Sequence, residues 1–453
     1  MSLKCPFSRI GITVLILFAL LAMGFIVWRV NLAHDINAKL QALRAAGLPT
    51  SGAELNAYYP AVPDNENAAL VMTQAFAILR NYPDSRSNEV SWFRPLGRGQ
   101  LMTNEQIQLL TGYVEMNSNA LAKMAEALKL PKSRYPVDFS PGLETLSPHL
   151  DTLRELSLLD EYRAVLAIDS GQPANADVSV KDILGMARTL DEEPMLISQL
   201  VRFGLVRIGV ATLEDRFNAG KLSDAELTDL ADFFAQQNET NFIARGLIGE
   251  RAMAVSIFRT SFAKMKQQLE DFEAPRDESP APHRPSLFLK MTGIFERDLL
   301  FYLEAMETNV SFARLPPLKG LAATNLCETI IEDARKHYCI FSAIVLPSVS
   351  GLAAREADGF ARVRLAATAT AVERFRLLHG QSPGELNELV PQYLSAVPSD
   401  PFDGQPLRYH RLAKGYVIYS LERDGHDNGG REKPADGKPG DLTPCDITFT
   451  VER

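Results

Sequence analysis

The hydrophobic and polar positions divide the chain into three stretches with different patterns. The first, Ile10 to Trp28, is uncharged and free of proline. At about 1.5 Å of rise per residue, these roughly 19 residues match a hydrocarbon core about 30 Å thick. A cleavable signal peptide has a shorter apolar run that ends in a small-x-small site, and no such site precedes Arg29. The pattern therefore favours residues 1–30 as a short tail and an uncleaved transmembrane signal anchor.

The second stretch, residues 31–355, has the periodicity of α-helices. One apolar stripe with spacings of three and four predicts a helix of about six turns; its positions are Leu196, Leu200, Phe203, Val206, Val210, Leu213 and Phe217. Capping boxes predict two further helix starts, at Thr103 with Gln106 and at Ser223 with Glu226. Helical patterns resume at about 287–310 and 319–340. These signals predict a large α-helical domain.

Two proline-rich segments interrupt the helical patterns. The segment 273–285 holds four prolines and mixed charges, and it predicts a loop or linker. The segment 130–148 also holds four prolines and reads as a second linker-like stretch.

The third stretch, residues 356–453, predicts a small α+β domain. A helix ends at His379-Gly380, and Ser382 to Glu385 reads as a capping box that opens a short helix. Apolar–polar alternation at 406–410 and 416–421 predicts an antiparallel hairpin, and 446–451 predicts a last strand. The fold class expected for the chain is thus mainly α, with an antiparallel sheet near the C-terminus.

Charge adds an orientation and excludes one class of partner. The chain of 453 residues carries 47 basic and 56 acidic side chains, which gives a net charge of −9. A protein that coats nucleic acid is normally basic, so we expect no nucleic-acid partner. Lys4 and Arg9 precede the apolar run, and the positive-inside rule places residues 1–9 in the cytoplasm. We expect a single-pass protein of the bacterial inner membrane, with the lipid bilayer as partner of Ile10–Trp28 and the bulk of the chain in the periplasm.

The cysteine positions allow several disulfide arrangements in an oxidising compartment. Cys327 and Cys339 would lie about 18 Å apart on one continuous helix, beyond the ~7 Å that a disulfide allows. A turn could intervene, Cys339 could pair with Cys445, or all three thiols could be free.

The sequence contains no motif that identifies an enzyme. No P-loop, glycine-rich dinucleotide turn or HExxH motif occurs. Ser261 to Lys264 forms a Ser-x-x-Lys match without its companion elements. The histidines have no ligand spacing and read as surface or capping residues, and Glu250-Arg251 reads as a solvated or ion-paired neighbour pair. For an exported hydrolase, the carboxylates to examine for a shared cleft are those of Asp191, Glu192, Glu193 and Glu250.

The C-terminal hundred residues contain a series of short motifs in a fixed order: Ala371–Phe375, Leu389–Leu394, Val397–Pro401, Tyr416–Leu421, Asp424-Gly425, Gly429-Gly430 and Asp446-Ile447. In these motifs and their order, the segment resembles the soluble part of the major pseudopilin of bacterial type II secretion systems. The whole chain is similar to large uncharacterised single-pass membrane proteins of planctomycete- and verrucomicrobium-type bacteria that carry such a tail. The apolar helix lacks the phenylalanine and glutamate of a prepilin-peptidase site, so the resemblance implies a borrowed module rather than a processed pilin subunit.

The resemblance also implies a calcium site, because the final loop of that family binds calcium. Hard oxygen ligands suit this cation. Asp424, Asp446 and the Leu421 carbonyl fall on the matching positions, and Asp427 and Asp441 are the candidates for the remaining ligands. A solvated polar loop is the alternative interpretation.

Anchor, helical body and tail together indicate a membrane-anchored exported protein that binds a protein partner or supports an assembly of the cell envelope. An exported hydrolase with an active site in the helical domain is the alternative. A helical module that binds a small ligand or a lipid is a third class.

Overall fold

The computed structural model describes residues 9–81, 102–237, 239–259, 292–346, 351–433 and 443–453. The predicted loop at 273–285, the Ser261–Lys264 motif and the candidate ligand Asp441 lie outside these ranges.

The described chain is mainly helical, as the sequence predicts, and its sheet lies near the C-terminus. The helices are α1 Arg9–Ala45, α2 Gly52–Tyr58, α3 Ala68–Ile78, α4 Asn104–Met116, α5 Ser118–Ala127, α6 Pro148–Asp169, α7 Ala176–Arg188, α8 Leu196–Ala219, α9 Asp224–Ala235, α10 Phe242–Arg259, α11 Ile294–Ala313, α12 Pro317–Ala322, α13 Thr324–Lys336, α14 Ile340–Val345 and α15 Leu352–His379. Short 3-10 turns occupy Asp64–Glu66, Gly142–Glu144, Pro173–Asn175 and Leu386–Leu389. The strands are β1 Arg408–Arg411, β2 Tyr416–Ser420 and β3 Ile447–Val451.

Local sequence signals account for several helix starts and ends. Thr103 and Ser223 each accept the amide proton three residues on, and the side chains of Gln106 and Glu226 return the bond. Both predicted capping boxes are therefore confirmed. Gly380 ends α15 in the left-handed conformation, with φ 75°, which glycine adopts without a steric penalty.

Side-chain contacts give the relative directions of four long helices. Arg29 pairs with Glu296 and Lys39 pairs with Glu307, so α1 and α11 run in the same direction. Leu196 of α8 lies beside Glu250 of α10, whereas Phe203 contacts Phe242, so α8 and α10 are antiparallel.

The C-terminal sheet lies at the far end of this arrangement. Phe203 of α8 lies against Gly359 of α15, and the ends of both helices reach the last strand and the C-terminus. Asn218 donates to the Thr450 carbonyl at 2.8 Å, and Glu373 pairs with Arg453. Phe258, near the end of α10, meets Phe341, which contacts Phe295 in the turn beside Trp28. Helix α10 thus runs toward the first part of α1, and the antiparallel α8 runs away from it to the sheet.

The sheet is antiparallel throughout, with the order β1–β2–β3. The hairpin predicted from alternation is confirmed, and Arg411 faces Tyr416 across its turn. Gly415 closes this turn with φ 90°, and a Cβ there would lie 1.7 Å from the Val451 carbonyl oxygen. Glycine is therefore required at this position.

The alternation predicted for β2 does not appear in its burial. All five residues of β2 are buried. The Tyr416 hydroxyl points to the Ala369 carbonyl of α15, so that helix covers one face. Gly430, in the loop before β3, lies against Val417 and Tyr419 and covers the other. A central strand with both faces covered loses the polar-outside pattern.

One hydrophobic core joins the predicted helical body to the predicted tail. Phe217 of α8 meets Phe449 of β3 edge to face at 5.6 Å, and both belong to a cluster that includes α3 to α9, α15 and all three strands. A second cluster joins the later part of α1 to α8, α10, α11 and α14. The predicted boundary at residue 355 thus falls within a helix that contributes to both clusters.

Two local predictions are wrong, each because long-range contacts override the local signal. The segment 130–148 is not a free linker, since Tyr135 and Phe139 are fully buried. The capping box predicted at Ser382 is formed by Glu385 and Glu388 instead. Arg411 donates to the backbone carbonyls of Ser382 and Pro383. These bonds hold Ser382 and Pro383 against β1, so the turn begins later in the sequence, at Glu385.

Candidate functional site

The first part of α1 is exposed and apolar, whereas its second part is buried in the body. Two described helices are long and apolar enough to cross a membrane, α1 and α8. The apolar window of α8 is 61% buried and that of α1 is 0% buried. Helix α8 is thus a core helix, and α1 has the character of a membrane anchor or a signal sequence.

The junction between these two parts of α1 is tightly held. Leu32, Ile36, Leu40 and Leu43 form one stripe that packs into the second core cluster. Arg29 donates to Glu296 at 2.8 Å, and this bond holds the pKa of Glu296 below its usual range. Gly293 lets the chain approach closely, because a Cβ there would lie 2.9 Å from the Trp28 ring.

The loop predicted to bind calcium places its carboxylates on the two sides of one turn. Asp446 accepts the amide protons of Asn428 and Gly430, the latter at 2.8 Å. Asp427 accepts from Gly429 at 2.9 Å, and its other oxygen lies 3.3 Å from the Arg408 guanidinium. Burial raises the pKa of Asp446, and the nearby Asp427 adds to the rise.

The other two described candidates differ in their contacts. Asp424 accepts from the His426 amide at 3.0 Å, whereas the Leu421 carbonyl lies 3.2 Å from the Ser420 hydroxyl, whose proton goes to Asp400 at 2.8 Å. Among the residues that the structure describes, no three acidic, histidine or cysteine side chains are grouped so that they could hold a metal ion. Calcium therefore stays a prediction, and its remaining candidate ligand Asp441 lies outside the described residues.

Asp400, which the sequence did not single out as a binding residue, is the bonding centre of the tail. Its side chain is fully buried. One oxygen accepts from the Phe402 amide at 2.9 Å and the Ser420 hydroxyl at 2.8 Å, and the other accepts from the Leu421 amide and Arg408, both at 2.8 Å. A carboxylate with four donors ties the 398–405 turn to β1 and β2.

The four carboxylates suggested for a hydrolase lie around one turn but have separate partners. Asp191 pairs with Arg202 at 2.6 Å, and Glu192 pairs with Arg245 at 2.8 Å. The Leu196 amide lies 3.4 Å from Glu250, and burial raises the pKa of Glu250 to about 7. These contacts brace the start of α8 and give each of these three acids a different partner.

The fourth acid, Glu193, belongs to a buried polar group that includes His149. His149 Nε2 lies 3.0 Å from Glu193, and the Ser198 hydroxyl donates to the same carboxylate at 2.6 Å. The ring of Tyr135 stacks on His149 at 4.4 Å. The expectation of surface histidines is wrong for His149, which is 7% exposed. The serine bonds the acid rather than the histidine, so the group lacks the order of a nucleophilic triad.

Arg251 is a buried cation without hydrogen bonds to its Nε and Nη2 among the described residues. It is 1% exposed, and burial lowers its pKa. The sequence predicts a solvated or ion-paired neighbour pair at Glu250-Arg251, and the solvated interpretation is wrong for Arg251, which is buried, whereas Glu250 is half-buried.

The three described cysteines are free thiols. Helix α13 ends at Lys336, and Cys339 follows a turn, so Cys327 and Cys339 do not share one helix. Burial raises the pKa of Cys339 and of Cys445 to about 11, which keeps both thiols protonated near neutral pH.

An open groove of about 220 Å³ lies in the tail, between the Leu386–Leu389 turn and β1. Its lining includes Gly384, Leu386, Asn387, Val397, Leu407 and Tyr409. The walls are polar as well as apolar, and the exposed Glu385 is among the lining residues.

No protein-family model, curated protein or solved structure matches this chain. The junction of α1, the groove of the tail and the polar centre at Asp400 are therefore read from their own geometry.

Proposed function

We propose that the protein is a single-pass anchored component of the bacterial inner membrane that presents a pseudopilin-like tail to a protein partner in the periplasm. The observation that carries this proposal is the division of α1. One unbroken helix has an exposed apolar half and a half that is buried in the body. An exposed apolar stretch of this length is stable in a lipid environment.

The position of the tail supports a presenting role. The sheet lies at the end of the body remote from the exposed half of α1, where α8 and α15 end. The groove beside Asn387 belongs to this tail. A partner that binds there would meet the protein at a height above the membrane that the long helices determine.

The experiment that tests the anchor and its orientation uses reporters fused after Arg453 of the full chain. A reporter that is active only in the periplasm should be active, and one that fluoresces only in the cytoplasm should be silent. The opposite result would contradict the orientation. Carbonate extraction separates an anchor from a cleaved signal, because only an anchored chain stays with the membrane.

The partner is tested by placing a photo-cross-linking residue in the groove. Asn387 is exposed and lines the groove, and Val178 is 49% exposed on α7, away from it. Cross-linking in the native membrane should give a discrete adduct from position 387 and none from position 178. Equal adducts from the two positions would contradict a role for the groove.

The exported hydrolase is the alternative, and no specific contact favours it. In the described part of the chain, each of the four suggested carboxylates is engaged by a different partner. Substituting Glu250 by glutamine should therefore change stability rather than any chemistry.

A further inference from the structure

The first turn of α11 marks the level at which α1 leaves its lipid-exposed stretch. Arg29 pairs with Glu296 at 2.8 Å, and Lys39 pairs with Glu307 at 2.8 Å further along both helices. The two helices are therefore in register and parallel. Residues Phe295 to Asp298 thus lie beside Trp28 and Arg29, at the end of the body that faces the membrane.

A second segment docks on this same turn of α11. Phe341 stacks near Phe295, with ring centroids 5.9 Å apart. The Asp298 carboxylate accepts the amide protons of Phe341 and Ser342 at 2.8 and 3.1 Å, and Arg297 donates to the His337 carbonyl. The segment 335–344, which we call the basic–apolar turn, is thereby fixed at the membrane-facing end.

The outer side of the basic–apolar turn is apolar. Tyr338 is 77% exposed, Ile340 is 56% exposed and Ile344 is 49% exposed. Ile340 and Ile344 are four residues apart in α14, so they share one face of the helix. Tyr338 also has φ 56°, a left-handed conformation that is costly for a bulky residue. A strained backbone thus presents an aromatic ring to the outside.

Basic side chains border this apolar face. Arg335 and Lys336 are exposed just before Tyr338, and Arg297 is exposed on the adjoining turn of α11. Lys336 lies 3.7 Å from Glu332 and 3.6 Å from Asp333, so acidic side chains of α13 partly compensate its charge. A combination of basic, aromatic and aliphatic side chains is typical of protein segments that lie at a membrane interface.

We propose that the basic–apolar turn is a second membrane contact, which lies in the interfacial layer of the bilayer that α1 crosses. Ile340 and Ile344 enter the boundary of the acyl chains, Tyr338 lies at the headgroups, and Arg335 approaches the lipid phosphates. The proposal rests on the anchor proposed above. The bilayer is favoured over a protein partner because the first turn of α11 holds this segment at the level of Trp28 and Arg29, where the lipid-exposed stretch of α1 ends.

Quenching by brominated lipids tests this contact in the full-length chain. The protein is reconstituted in phosphatidylcholine vesicles, with and without phosphatidylglycerol, whose acyl chains carry bromine near the headgroup end. Three single-tryptophan proteins are compared. The first keeps Trp28 and has Trp92→Phe; the other two lack both native tryptophans and carry either Tyr338→Trp or Leu378→Trp. Leu378 is 67% exposed, near the end of α15 that lies beside the sheet.

Bromine should quench Trp28 and the tryptophan at 338 by about twofold or more and leave the tryptophan at 378 unchanged. Adding Ile340→Glu to the 338 protein should restore most of its fluorescence, and Ile340 is exposed enough to be replaced without loss of the core. Quenching of Trp28 without quenching at 338 would overturn the second contact, as a protein partner on this face would predict. Absence of quenching at Trp28 would instead overturn the anchor itself.

Discussion

Replacing Asp400 by asparagine is expected to loosen the tail, although the two side chains have almost the same shape. Each oxygen of Asp400 accepts two donors, Phe402 and Ser420 on one side and Leu421 and Arg408 on the other. An asparagine has one oxygen and one amide nitrogen. Whichever way it turns, its nitrogen faces two groups that now donate to the carboxylate.

The asparagine side chain adopts the less costly of its two orientations, and this orientation determines how much free energy of unfolding is lost. With the amide nitrogen toward Phe402, the Ser420 hydroxyl can turn to accept, because the Leu421 carbonyl lies 3.2 Å away as a second acceptor for its proton. The Phe402 amide then lacks an acceptor, at a cost of about 1–3 kcal/mol, and the weaker bond to Arg408 adds about 1 kcal/mol. The total of about 2–4 kcal/mol corresponds to an opening equilibrium about 30- to 700-fold more favourable.

Hydrogen exchange of the full chain in nanodiscs measures this opening, with chelator present so that calcium does not contribute. Peptides that cover 400–421 should exchange faster by the factor above in Asp400→Asn. The matched control is Asp424→Asn, an exposed acid that accepts from the His426 amide in the described part of the chain and keeps an oxygen for it. This control should exchange within about threefold of the wild type. Equal protection in the two variants would refute the role assigned to Asp400.

Three further outcomes are expected. Burial raises the pKa of Glu356 to about 7, so the folded state holds a proton that an unfolded glutamate releases above about pH 4.3, and stability falls as the pH rises through this window. Glu356→Gln should remove the part of this loss of stability that Glu356 causes, and it should raise the free energy of unfolding in urea at pH 8 by about 1–3 kcal/mol. If the free energy of unfolding differs between pH 5 and pH 8 by the same amount in the variant and the wild type, the role of Glu356 is contradicted. Gly249→Ala should destabilise the protein by about 3 kcal/mol, because the new Cβ would lie 1.6 Å from the Pro194 carbonyl oxygen. Gly204→Ala, where no atom lies within 4 Å of the new Cβ, should stabilise the protein by about 0.5–1 kcal/mol. Thermal melts that rank the two variants the other way would refute this. If the tail binds calcium, its melting midpoint should be higher in calcium than in chelator, and the same midpoint in both would contradict that prediction.

The sequence predicted the elements that are specified by neighbours along the chain. The stripe from Leu196 to Phe217 defined α8, and the two capping boxes located the starts of α4 and α9. Alternation located the hairpin because β1 and β2 pair directly across Gly415. In each case the determining contacts join residues that are close in sequence.

The polar centres could not be predicted, because their partners are distant in sequence. His149 and Glu193 are 44 residues apart, and the residues next to each of them in the sequence do not indicate that it is buried. Asp400 stood in a turn-forming segment, where aspartate usually caps the local backbone, and two of its four donors, Ser420 and Leu421, lie at the end of β2 and directly after it. The burial of β2 likewise depends on Gly430, which reaches the strand only after the tail has folded.

The lack of a hinge in α1 limits how the body can sit on the membrane. Between Trp28 and Ala45 the helix contains neither glycine nor proline, so a kink has no sequence cause there. Arg29 and Lys39 attach the same segment to α11 at two levels. The body must therefore tilt together with the anchor, and its tail is held at a height that the packed helices fix rather than a flexible linker. A partner that binds at the groove would need its own binding site at that height above the membrane. The lengths of α8 and α15, which set this height, therefore help to determine which partner can bind.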